Sequence, residues 1–140
     1  MHKNIHDDDF LGRAVFSSGQ VKRAIRGNID FNIFFYKESR SLSVDRFGFC
    51  SKKILTQIQD KNAELRSRTE GRKRSFYGWA KIEARDVRKN GGTVQATPIK
   101  DNPYHADINL PENIEVDEKI NYAKKLASDS KWTPRLNGIK

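Results

Sequence analysis

The chain has 140 residues and carries 27 Lys plus Arg against 18 Asp plus Glu, a formal net charge of +9. This length fits one domain with one real core, and the charge favours a polyanionic partner, most often nucleic acid. The single cysteine, Cys50, excludes an intrachain disulfide and a cysteine metal cluster, and no stretch approaches the ~18 apolar residues of a membrane span.

Residues 1–9 read as a flexible arm. It opens Met1-His2-Lys3-Asn4-Ile5-His6, lacks an apolar signal region, and turns acidic at Asp7-Asp8-Asp9. The reading is therefore of a soluble, cytoplasmic protein. Ordered structure is predicted over 10–127. Arg13-Ala14-Val15-Phe16 is a short strand. Ser17-Ser18 then caps a two-turn helix carrying Val21, Ala24 and Ile25, stopped at Gly27-Asn28. Phe31 to Lys37 is aromatic and β-branched and predicts a strand, paired as a hairpin with Leu42 to Phe47 across Glu38-Ser39-Arg40-Ser41.

Ser51 is positioned to cap a helix running to about Ser67, with Ile54, Leu55, Ile58 and Leu65 as its apolar stripe. The basic run 66–74 follows without an apolar residue and reads as an exposed loop or a fraying helix end. Phe76 to Ala84 is the next strand. Asn90-Gly91-Gly92 is a turn, and Thr93 to Ile99 its antiparallel partner. Tyr104 to Leu110 is a final short strand closed by Pro111, and Val116 to Ala127 a last helix. Residues 128–140 read as a tail whose Trp132 docks on the body. The sum is one α+β domain with a largely antiparallel sheet of five or six short strands, two main helices and one short helix.

Three clusters are candidates for chemistry. The first is His105 with Asp107. Alternation on a strand puts both on one face, about 7 Å apart along it. His105 lies outside the N-terminal arm and is the default general acid or base near neutral pH, with Asp107 as orienting group or metal ligand. An exposed polar strand face accounts for the same pair. The second is Asp45-Arg46, charged neighbours inside an apolar strand, which must point to opposite faces. Arg46 then joins His105 and Asp107 as a catalytic candidate, a phosphate clamp, as does Arg74. The third is the basic run, Arg66, Arg68, Arg72, Lys73 and Arg74, beside Tyr77 and Trp79. Its cations neutralise phosphates while the aromatic rings stack on bases. Lys22, Arg23 and Arg26 add to the same interface from the short helix.

The sequence has no phosphate loop, dinucleotide fingerprint, His-Glu-x-x-His or nucleophile elbow, and it assigns no cofactor or metal site. Three functions stay open. They are a nucleic-acid-binding protein or accessory subunit, a small nucleic-acid- or nucleotide-directed enzyme using His105 and Asp107, and an interaction factor docking an acidic protein partner. Convergence of His105, Asp107, Arg46 and Arg74 in one cleft would favour the enzyme. A stripe of arginines would favour the binding protein.

Overall fold

The computed structural model describes residues 4–137. Strands β1 (Phe10–Val15), β2 (Ser41–Arg46), β3 (Gly78–Glu83), β4 (Thr93–Ala96), β5 (His105–Asn109) and β6 (Lys131–Pro134) form one antiparallel sheet in the order β4-β5-β2-β1-β3-β6. Helices α1 (Ser18–Ile25), α2 (Lys52–Glu70), α3 (Ala84–Lys89) and α4 (Val116–Asp129) complete the α+β domain. Among the described residues no helix is long and apolar enough to cross a membrane.

Alternation in the central strands sends Leu11, Val15, Leu42, Val44, Ala80, Ile82, Ala106 and Ile108 to one face. There they meet Ala123, Leu126 and Ala127 of α4 and the buried Ile33 and Phe34. Each such Leu, Ile or Phe contributes about 1.5–3 kcal/mol by leaving water. The other face meets α2, which reaches it through side chains. Leu55 and Ala63 pack on Phe76 and Trp79, and Asp60 takes a bidentate pair from Arg135 at 2.8–2.9 Å.

Residues 31–37 do not form a strand. Phe31–Phe34 is a single 3-10 turn, because Asp30 accepts the Asn32 N–H at 2.9 Å and caps it. Its aromatic and aliphatic side chains pack on α4. Local capping and tertiary burial override the β propensity of the segment. The expected hairpin is therefore absent, and β2 pairs with β1 and β5 instead. Thr93–Ala96 does not pair with β3. Helix α3 intervenes and carries the chain across the sheet, so that β4 pairs with β5 at one edge.

Residues 4–9 and 131–137, the described parts of the expected arm and tail, contact the body. Ile5 is buried, Arg88 binds Asp7 and the Ile5 carbonyl, and the Asp9 carbonyl accepts from Ala84 N. Residues 131–134 form edge strand β6 on β3, which seats Trp132 against the core. Met1, His2 and Lys3 of the predicted arm lie outside the described residues.

Candidate functional site

Helix α2 determines the site. Ser51 caps its start, accepting from Ile54 N at 3.3 Å, and Gly71 ends it at φ +71°, a backbone glycine tolerates at little cost. The predicted apolar stripe faces inward only in part, at Leu55 and the half-buried Ile58. Ile54 and Leu65 are exposed, and the helix buries Leu55, Thr56, Gln59 and Ala63. A polar residue on the inner face is the consequence of what lies beneath it.

Beneath Gln59 is Asp45, 1% exposed. Its Oδ2 accepts from Gln59 Nε2 and Trp79 Nε1, each at 2.8 Å, and its Oδ1 from Asn102 Nδ2 at 2.8 Å. Asn102 is oriented in turn by the Tyr104 N–H on its Oδ1, and Gln59 by Asn62 on its Oε1. Burial pushes the Asp45 carboxyl above the usual aspartate range, against the three hydrogen bonds and the nearby His105. Backbone geometry makes room for the array. Gly12 lies opposite Asp45 on β1, and a Cβ there would run into the Phe47 ring and stand 2.8 Å from the Trp79 indole.

Beyond Gly12 and Asp45, β1 and β2 stop pairing. Arg13 bridges the opening, its Nε donating to the Ile33 carbonyl at 3.0 Å and Nη1 to the Ser43 carbonyl at 2.9 Å. Burial and the neighbouring Arg66 lower its pKa to about 10. This opening and the underside of α2 enclose a cleft of about 440 Å³, within the range of about 300–1,000 Å³ typical of ligand sites. Arg13, Arg66, Arg74, His105, Asp45 and Asn102 line it, with Ser17 and Gln20 at the α1 end.

The charged side chains of the cleft are held in place. Arg66 lies over the Phe16 ring at 4.4 Å. Arg74 Nε lies 3.8 Å from Glu70 Oε1, and its backbone N–H donates to Ser67 Oγ at 2.7 Å, which ties the end of the basic run to α2. Residues 66–70 are helical, and the run is neither wholly loop nor frayed. His105 stands opposite Asp45 on β5. Its Nδ1 lies 3.0 Å from the Thr97 carbonyl and 2.9 Å from the Thr97 hydroxyl. A carbonyl only accepts, so Nδ1 carries the proton in the neutral ring, and Nε2 is left with its lone pair.

The cleft gathers His105 and Arg74 but not the other two residues of the expected quartet. Asp107 shares the strand face of His105 and pairs with Ser43 and Gln95, outside the cleft lining. Thr97, not Asp107, orients the histidine. Arg46 projects to the opposite sheet face, where it is buried, donates to the Asn4 carbonyl at 3.2 Å and covers the Phe49 ring at 4.3 Å. Its place is under the N-terminal segment.

Trp79 does not serve as a stacking platform. It is 0% exposed, and its edge-on contacts with Phe47 and Phe76 at 5.1 and 4.8 Å leave no open ring face. Tyr77 is half-buried at the β6 edge, where its backbone bonds Val15 and Arg135. Arg68 lines the outer groove of α2, Arg72 pairs with Glu70 at 3.8 Å, and Lys73 is exposed beyond the helix end. Arg23 is paired with Asp30 at 2.5 Å, while Lys22 on α1 and Arg26 at its C-cap are exposed.

Arg13, Gln59 and Asn102 carry much of the cleft and were not singled out by the sequence. Two signals for them exist in retrospect. Arg13 interrupts the alternation Leu11-x-Arg13-x-Val15, and Gln59 sits midway in the series Leu55, Gln59, Ala63 at helical spacing. Among the described residues no group of three or more His, Cys, Asp or Glu is arranged to hold a metal ion. No family model, curated protein or solved structure matches the chain, so any reading of the cleft rests on these residues alone.

Proposed function

We propose that the protein binds nucleic acid and receives part of the strand in the cleft between α2 and the sheet. The observation that supports this is the meeting of Arg13, Arg66 and Arg74 at one polar cavity whose floor is an oriented array of Asp45, Gln59 and Asn102. Arginine forks suit phosphate oxygens, and oriented amides and a histidine suit the hydrogen-bonding edges of a base or sugar. Lys22, Arg26, Arg72 and Lys73 lie outside the cavity and act as a general electrostatic surface.

Titration of labelled single-stranded RNA and DNA over a range of salt tests this reading. Affinity is expected to fall steeply with salt. Arg66→Gln and Arg74→Gln should each reduce the salt slope by about 1. Lys73→Gln should weaken binding less than either. Unmeasurable affinity for both nucleic acids at low salt would refute the reading.

A second reading comes from the outer side of α2, where Ile54 and Leu65 are exposed beside Lys61 and Arg68. An amphipathic acidic segment of a protein partner matches that mixture of apolar and basic groups. Leu65→Asp should then abolish binding of such a partner and leave nucleic-acid affinity intact.

A further inference from the structure

We infer that the cleft is an RNA-cleaving site in which His105 is the general base. The inference rests on the reading that the cleft takes a nucleic-acid strand, and adds what is done to it.

Three observations carry it. His105 lines the cleft, and the Thr97 carbonyl fixes it in the tautomer that leaves Nε2 unprotonated, as a base requires. Asp45 lies directly across the β2–β5 ladder from His105. Its oxygens already accept three hydrogen bonds, so it does not compete for the proton but favours the imidazolium that forms. Arg66 and Arg74 line the same cavity, Arg74 with Glu70 3.8 Å from its Nε, and they place positive charge where it builds on a phosphate.

The source of the nucleophile selects the substrate. Cys50 is outside the cleft lining, and burial raises its thiol above the ordinary range. Ser17 Oγ accepts the Gln20 N–H as the α1 cap. RNA brings its own nucleophile in the 2′-hydroxyl, so a base and cations suffice.

In the step, the 2′-oxygen attacks the adjacent phosphorus and its proton passes to His105 Nε2. The P–O2′ bond forms as the P–O5′ bond breaks. The departing 5′-oxygen takes a proton from water, and imidazolium returns its own to solvent. The products are a 2′,3′-cyclic phosphate and a 5′-hydroxyl, with no oxidant or reductant required.

The test uses the full chain, total cellular RNA and a mixed-sequence RNA oligonucleotide, with cyclic-phosphate ends as the readout. His105→Asn is the informative variant, because its amide retains a donor for the Thr97 carbonyl while Nε2 is lost. Cleavage is expected to fall by about 10²–10⁴-fold, with RNA still bound and the melting temperature unchanged. An oligonucleotide with 2′-deoxyribose throughout should bind and stay intact. RNA that binds but stays whole from about pH 5 to 9 overturns the inference and leaves the binding reading standing. Cleavage undiminished in His105→Asn, or cleavage of the deoxy strand, also overturns it. Failure to bind either strand overturns the binding reading itself.

Discussion

The two faces of the sheet are built from the same strands by opposite means. On the α4 face, alternate residues of β1, β2, β3 and β5 are aliphatic and meet aliphatic residues, and the space is filled. On the α2 face the alternate positions include Gly12, Asp45 and His105, and the covering helix turns Gln59 inward above them. One face loses water from apolar surface. The other retains a cavity, orients its polar groups at the cost of burying a carboxylate, and draws arginines to its edge. The difference separates what holds this fold from what it offers a ligand.

The largest effect should come from removing Trp79, the residue where stability and site meet. Trp79→Ala deletes a fully buried ring, its contacts with Phe47 and Phe76, and a donor to Asp45. The expected loss is about 3–5 kcal/mol in chemical denaturation, with weakened nucleic-acid binding under conditions where the variant is folded. On the opposite face, Leu126→Ala should cost about 2–5 kcal/mol and leave affinity unchanged. A Leu126→Ala protein that folds but binds poorly would break the division between the faces.

Legibility in the sequence follows the same division. Helix α2, helix α4, strand β3 and the His105 strand were visible, because periodicity and caps are local signals. The 3-10 turn at Phe31–Phe34 was not, since its aromatic residues satisfy strand propensity and only packing on α4 decides between the two. Strands β4 and β6 are four residues each, too short for alternation to report a partner. At the site, the density of the basic run marked Arg66 and Arg74, and His105 and Asp45 stood out as titratable residues inside strands. Gln59, Asn102 and Thr97 are ordinary polar residues whose role comes from meeting Asp45 across 14 and 57 positions of sequence and His105 across 8. The α2 stripe misled at Ile54 and Leu65 for a physical reason: a helix covering a polar cavity turns polar residues such as Gln59 inward.

A smaller effect tests the room beneath α2. Gly12→Ala places a methyl group against the Phe47 and Trp79 rings, so one of them must move. About 1–3 kcal/mol of destabilisation is expected from overpacking, together with a change in near-ultraviolet tryptophan signal. Unaltered stability would mean that the aromatic floor yields freely and does not fix Asp45.

The sharpest comparison is the smallest in energy and sets Asp45 on the α2 face against Asp30 on the α4 face. Burial raises the Asp45 carboxyl above its ordinary 3.8, despite its hydrogen bonds. The folded chain therefore holds that proton more tightly than the unfolded chain, and its contribution to stability declines as pH rises from about 3.8 through the folded-state value. Asp45→Asn removes this slope. It also sets an amide N–H against a donor, because Asn102 is fixed by Tyr104. The deficit, about 1–3 kcal/mol in acid, should shrink toward neutral pH. Asp30 behaves in the opposite sense. Burial pushes it up, but the Asn32 N–H and Arg23 prevail and hold it below 3.8. Its contribution is complete above that value and disappears as pH falls through the folded-state value. Asp30→Ala removes the cap of the 3-10 turn, at about 0.5–2 kcal/mol near neutrality, and its deficit should shrink toward acid. Denaturation of the wild type and both variants between about pH 3 and 8 reads both slopes. Two slopes of the same sign would show that Asp45 is not held against the cost of burial, and with it would go the view that the α2 face is arranged for a ligand rather than for stability.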